Sequence, residues 1–289
     1  MASKKENYQQ SVKIPKPITF SAKTLQFISP KLASKYVAKL FATPIKHPTP
    51  KREHKMEHEA KKERLLIPSI KKEVVIYEYG ESKKKILLVH GWSGRGTQLS
   101  KIADALLKIG YSTISFDGPA HGRSTGKTTN MLEFIDTAFE VNKKYGPFEA
   151  AIGHSLGSMT LVNAASRGFK TNAMVLIGSG DKIDDIIYDF TNKLGLKEKI
   201  GDSIKIGFDK IAMEDVNNYS ASIAAEDVKI PALLFHDKND LDSPLSSSEN
   251  IHKKLKNSEL IITEGLGHRK ILGDDKVILK LIDFIKEYS

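Results

Sequence analysis

The sequence predicts an α/β protein: a mostly parallel central sheet with helices on both faces, interrupted once by a helical insertion. Three observations carry this expectation. From about residue 71 onward, apolar runs of strand length alternate with longer segments of helical apolar spacing. Residues able to do chemistry recur just beyond the C-terminal ends of those runs, which an open parallel sheet gathers along one edge. The alternation breaks over residues 181–227 and then resumes.

Taken in order, residues 73–79 read as an early strand and residues 86–89 (Ile-Leu-Leu-Val) as a central one. Residues 99–109 follow as helix, 111–116 as strand and 131–144 as helix. Phe148, Ala150, Ala151 and Ile152 make a buried strand, with helix over 159–165 and strand again over 173–177. In the interruption, Ile183, Ile186, Ile187 and Phe190, then Ile204, Phe208 and Ile211, keep helical spacing. About 45 residues are enough for two or three helices lying over the sheet edge, with apolar side chains available to line a pocket. Pro231 reopens the strand pattern over 232–235, residues 260–262 form the last strand, and a helix over 276–288 closes the sheet.

Residues 1–70 differ in character. They hold fifteen Lys/Arg against five Glu, a balance of +10, so residues 71–289 are neutral overall. The basic character of the chain belongs to this arm. Ser29-Pro30 marks a helix start, after which Leu32, Tyr36, Val37, Leu40 and Phe41 line one face and Lys31, Lys35 and Lys39 another. Such a helix can pack against its own catalytic domain or lie on an anionic membrane surface. Its lysines are not interleaved with stacking aromatics, so no nucleic-acid partner is expected.

Gly153-His154-Ser155-Leu156-Gly157 is the most informative stretch. A serine between two glycines, directly after a strand and before a helix, has the form of a nucleophile elbow. The sharp turn projects the hydroxyl clear of the sheet, and the glycines leave room for the neighbouring strand and helix. His90-Gly91-Trp92, Asp240 and His268 each follow a predicted strand. The order serine, acid, histidine runs with separations of 85 and 28 residues.

On these residues the chain resembles the α/β-hydrolases, and among them single-domain serine hydrolases of esterase type with a short helical cap. The matching motifs are His90-Gly91, the run Asp117-Gly118-Pro119-Ala120-His121-Gly122-Arg123-Ser124, the elbow, and the stretch from His236 to Pro244. The resemblance covers residues 71–289, with the cap at about 181–227. It implies Ser155 as nucleophile, His268 as general base, Asp240 as the acid that orients it, and the backbone N–H groups of Trp92 and Leu156 as an oxyanion hole. Asp237 stands where the family has glycine and Ser243 where it has valine, so Asp237 and Asp242 remain alternatives for the acid. The implied activity is cleavage of an acyl bond, foremost a carboxylic ester, through an acyl-enzyme. Amide, thioester and acyl-transfer chemistry use the same machinery, and the other class of reading is a non-catalytic ligand-binding or membrane-docking protein of this fold. The expected partner is a small acyl substrate, with peripheral membrane contact through the arm.

Other motifs carry less. His54-Lys55-Met56-Glu57-His58 places two histidines four apart, but its charged surroundings offer neither an apolar side nor a third zinc ligand, so it reads as a solvated helix. Gly122 to Thr128 is one residue short of a phosphate-binding loop, and Gly91, Gly94 and Gly96 have a dinucleotide fingerprint's spacing reversed. No cofactor and no metal are therefore expected. Trp92 is either a core residue or a pocket wall, while His121 and His154 read as hydrogen-bonded residues that orient loops. With no cysteine, a thiol nucleophile and a disulfide framework are both excluded. No apolar run approaches the roughly 20 residues that span a bilayer, and the first eleven residues lack the apolar segment of a secretory signal, so the expected location is cytoplasmic.

Overall fold

The computed structural model describes residues 14–288. Helices α1 (Lys16–Ile28) and α2 (Pro30–Phe41) form a hairpin, and α3 (His54–Glu59) leads into strands β1 (Lys61–Ile67) and β2 (Lys72–Tyr79). The alternating part runs β3 (Lys85–Val89), α4 (Ser100–Lys108), β4 (Ser112–Asp117), α5 (Met131–Tyr145), β5 (Phe148–His154), α6 (Leu156–Ser166) and β6 (Thr171–Ile177). Then α7 (Ile183–Lys193), α8 (Glu198–Ala212) and the short α9 (Ala221–Ala225) intervene. The chain finishes with β7 (Ala232–Asp237), α10 (Leu245–Lys254), β8 (Ser258–Thr263), α11 (Gly267–Lys270) and α12 (Asp275–Tyr288).

The eight strands make one sheet in the order β1-β2-β4-β3-β5-β6-β7-β8. Strands β3 to β8 are parallel, while β1 and β2 join antiparallel at one edge. From β3 the chain moves outward to β4, then returns to place β5 on the other side of β3. The direction of winding reverses there, which opens a crevice at the C-terminal ends of β3 and β5.

Alternation along each strand builds two cores. Leu87, Val89, Ile114 and Phe116 face α5, α6, α9 and α10 on one side, while Ile86, Leu88, Ala150 and Ile152 face α3, α4 and α12 on the other. A third, smaller cluster lies off the sheet, where Ala22, Ala33 and Val37 of the hairpin pack on Ile187, Ile200 and Ile204 of α7 and α8.

The elements differ from the sequence expectation in several places. Residues 61–67, counted with the basic arm, form edge strand β1, in which only Ile67 is fully buried. Lys61, Lys62, Glu63 and Arg64 are what an unpaired sheet edge tolerates, and they hide the strand from an apolar pattern. Helix α1 and helix α10 have no counterpart in the predicted elements; α10 is rich in polar residues, while α1 mixes apolar residues with Lys16, Lys23 and Gln26. Helix α3 is not wholly solvated: Met56 enters the core with α4, and Glu53 just before it is also buried. Within residues 181–227, Ala221, Ala224 and Ala225 of α9 pack into the sheet core, whereas Ile187, Ile200 and Ile204 pack with the hairpin. Helix α2 starts as expected, with the Ser29 hydroxyl accepting from Leu32 N at its N-terminus.

Between the hairpin and α3, the chain is tied to the C-terminal edge of the sheet. Ile45 N donates to Ser93 Oγ at 3.0 Å, Thr129 N to Ala42 O at 2.8 Å, and Arg95 to His47 O at 2.6 Å. The arm is thereby held across the loops that follow β3 and β4.

Candidate active site

Ser155 stands on the turn between β5 and α6 with φ 53° and ψ −117°, a conformation that L-residues avoid. The turn is held because its neighbours cannot relax. A Cβ at Gly153 would lie 2.6 Å from backbone atoms of Gly157, and one at Gly157 would collide with Val89 O. Ser155 N donates to Ile177 O at 2.9 Å, and the Ser158 hydroxyl bridges Gly153 O and Ile177 N, which fixes the elbow to β6.

His268 lies in α11, just past β8, and its Nδ1 is 2.6 Å from Asp240 Oδ2. The Asp240 side chain is 1% exposed and that of His268 9%. The other oxygen of Asp240 accepts from Asp242 N at 2.8 Å and Ser243 N at 2.9 Å. Gly178, at the end of β6 with φ 57°, passes close to the pair; a Cβ there would lie 3.3 Å from His268 Nδ1. Asp237 faces elsewhere, accepting from Asn239 N, Thr263 Oγ1 and Leu266 N. Burial pushes its pKa up, but these bonds together with one from Gly267 N outweigh that, and the carboxyl is held below its usual range. Asp242 lies beside the pair, its carboxylate within 4.8 Å of Asp240 and His268.

The loops around Ser155 rest on buried histidines. His121 Nε2 accepts from Ser93 N at 3.0 Å and its Nδ1–H donates to Pro119 O, while His90 Nε2 accepts from Gly118 N and its Nδ1–H donates to Gly91 O. His154 Nε2–H donates to the carbonyl of His268 at 2.8 Å, tying the elbow to the histidine loop. Burial holds all three imidazoles below their ordinary pKa; for His90 the neighbouring His121 adds to it, for His154 the neighbouring His268, and His121 is brought to about 4. Each must therefore be neutral to fold. In the sign convention of linkage, the unfolded chain takes up protons between the ordinary histidine value and the folded one, so stability falls as pH drops through that window. For His121, stability relative to His121→Asn is expected to fall by about 3 kcal/mol between pH 7 and pH 4, read from urea unfolding of the two proteins at each pH.

Trp92, Ser155, Leu156, Asp240 and His268 all line one cavity of about 1120 Å³. Much of its lining is apolar and comes from three parts of the chain: Ile14, Ile18, Leu40 and Phe41 from the hairpin region, Ile183, Ile186, Phe190 and Phe208 from α7 and α8, and Met131 and Leu132 from α5; Lys182, Asp185, Asp189 and Lys193 add charge on the α7 side. Phe41 meets Phe190 and Phe208 edge-on at 5.3 and 5.6 Å, locking hairpin to cap. Trp92 is thus a pocket wall, its ring standing edge-on to His121 at 5.2 Å. Gly178, Gln98 and the hairpin's part in the walls escaped the sequence reading; none has a local motif. Gln98, which accepts from Gly91 N, is visible only once the β3 loop has folded.

Elsewhere, His54 and His58 stand edge to edge 6.3 Å apart, with His54 bonded to Thr49 O. Among the described residues, the His and acid side chains that converge closely enough for a metal are Asp240, Asp242 and His268, the group already described. Of the glycines that mimic a nucleotide loop, Gly96 serves Asp117, whose carboxylate accepts from Gly96 N, Arg123 N and Tyr77 OH.

A family model described as "alpha/beta hydrolase fold" matches residues 84–197, and one described as "TAP-like protein" matches residues 212–285. No curated protein matches. Among solved structures, an esterase of Pyrococcus furiosus is similar at TM-score 0.66 and 17% identity, over 85% of this chain and 97% of that one. A bromoperoxidase of Bacillus anthracis aligns at TM-score 0.61 and 15% identity, over 78% of this chain and 100% of that one. An esterase of Exiguobacterium antarcticum aligns at TM-score 0.57 and 17% identity, over 75% and 97% respectively. At such identities the likeness concerns the fold.

Proposed function

The chain belongs to the α/β-hydrolase fold superfamily, and from that premise we propose that it is a serine hydrolase that cleaves a carboxylic ester with an apolar acyl or alcohol part. The observation that carries the reading is the 2.6 Å pair of His268 and Asp240, buried beside a serine held at positive φ on the wall of the same apolar cavity.

With Nδ1–H given to Asp240, the free nitrogen of His268 is Nε2, the tautomer needed to accept a proton. Ser155 Oγ attacks the ester carbonyl as its proton passes to Nε2, and the imidazolium formed is stabilised by the Asp240 carboxylate. The carbonyl oxygen becomes an oxyanion, for which the backbone N–H groups of Trp92 and Leu156 are the proposed donors, the latter at the N-terminus of α6. Collapse breaks the bond to the alcohol, which leaves with the proton from His268. A water deprotonated by the same nitrogen then releases the acid and frees Ser155. His90 and His121 would serve by holding the loop that carries Trp92.

Apolar walls from hairpin, cap and α5 support a substrate whose bulk is hydrocarbon. The esterases among the similar structures agree with this reading.

Treatment with a fluorophosphonate, which forms a covalent adduct with an activated serine, tests it. One adduct is expected, mapped to Ser155 by mass spectrometry and missing from Ser155→Ala and His268→Ala. A folded protein that takes no adduct at Ser155 would sink the proposal.

A further inference from the structure

From residue 14 to residue 50 the chain has no acidic residue. The inner side of the α1–α2 hairpin is accounted for by its packing on the cap. Its outer side is not. Phe20 is 73% exposed, Phe27 93%, Ile28 67% and Leu32 52%. These are large side chains on well-formed helices, and Phe20, Lys23, Thr24 and Phe27 fall at i, i+3, i+4 and i+7, one stripe of α1. Phe27, Ile28 and Leu32 sit at the corner where α1 gives way to α2. Around them Lys16, Lys23, Lys31, Lys35 and Lys39 are all exposed, and among the described residues none forms an ion pair with a carboxylate.

We propose that the outer face of the α1–α2 hairpin is a docking surface for an anionic lipid bilayer, with Phe20, Phe27, Ile28 and Leu32 inserted among the acyl chains and the ring of lysines on the headgroups. An apolar patch in a field of unopposed positive charge matches such an interface: long lysine stems reach past the buried rings to the phosphates, and the charges guide the approach. A corner that mixes aliphatic with aromatic tips suits hydrocarbon better than the stacked bases of a nucleic acid, which would leave Ile28 and Leu32 without a partner. A second copy of this chain would bring the same lysines face to face. Ile18 of the same helix lines the catalytic cavity, so docking would set the cavity beside the membrane. The surface stands apart from the chemistry at Ser155, and its test is made without turnover.

The full chain carrying Ser155→Ala is sedimented with vesicles of phosphatidylcholine alone or mixed with phosphatidylglycerol. Expected are pelleting with the anionic vesicles only, weakened by added salt, a loss of at least about tenfold in partitioning for Phe20→Ser/Phe27→Ser, and a loss of about fivefold per lysine for Lys31→Gln/Lys35→Gln. Because all four side chains are exposed, both variants should unfold at the parent temperature, so that a loss of binding is not a loss of fold. Equal pelleting with neutral and anionic vesicles, no pelleting with either, or binding that both variants retain would overturn the proposal. So would a dimer seen by light scattering that the phenylalanine variant abolishes.

Discussion

Ser155→Ala is expected to lower kcat for a short-chain ester by about a millionfold, to the rate supported by binding and oxyanion contacts alone. The size follows from the roles proposed. Without Oγ no acyl-enzyme can form, and His268 has no nucleophile to deprotonate. Stability should change little, because the substituted residue keeps the positive φ and the Ser155 hydroxyl is not what holds the elbow; Ser155 N, Ser158 and the two glycines hold it. Steady-state rates against a chromogenic ester, with thermal unfolding alongside, check this. A variant with a rate within tenfold of the parent would place the nucleophile elsewhere.

Asp240→Asn should cost about 10⁴ in kcat, and the structure supplies the reason. Oδ1 of Asp240 receives two backbone N–H groups, from Asp242 and Ser243. In the variant, the amide oxygen has to remain on that side to satisfy both donors, which turns the NH2 toward His268. His268 Nδ1 must then accept, its proton moves to Nε2, and the ring can no longer act as a base. Asp237→Asn is the contrast. Asp237 braces the loop before His268 through Thr263 and Leu266, so its loss should lower stability by about 1–3 kcal/mol at neutral pH and leave kcat far above that of Asp240→Asn. Parallel rates and urea midpoints for the two variants separate the roles. If Asp237→Asn were the more damaging to kcat, the acid would have been misassigned.

The two aspartates show how far the sequence reaches. Three acids within six positions, Asp237, Asp240 and Asp242, follow the same strand, and nothing in their immediate neighbours ranks them without a family resemblance. What separates them is which backbone N–H groups and which side chains each one meets: Asp242 N, Ser243 N and the His268 ring for Asp240, but Asn239 N, Thr263 Oγ1 and Leu266 N for Asp237. The elbow needed no such help. Its strand, glycines, serine and helix are contiguous, so the turn is written in one short stretch.

The same division holds for the fold. Strands β3, β5, β6 and β7 are apolar on both faces because helices cover both sides, and a continuous apolar run marks them plainly. Strand β1 carries charged residues where it meets water and helix α1 exposes Phe20, Phe27 and Ile28 beside its lysines, so neither shows a clean pattern, and their packing partners, β2 and the cap, decide their structure. By itself the sequence determined the central α/β alternation, the elbow and the C-terminal sheet edge where the chemistry would gather, because each depends on local pattern. Only the tertiary structure decided that the basic hairpin walls the cavity and which acid meets His268, because both are contacts between segments far apart in the chain.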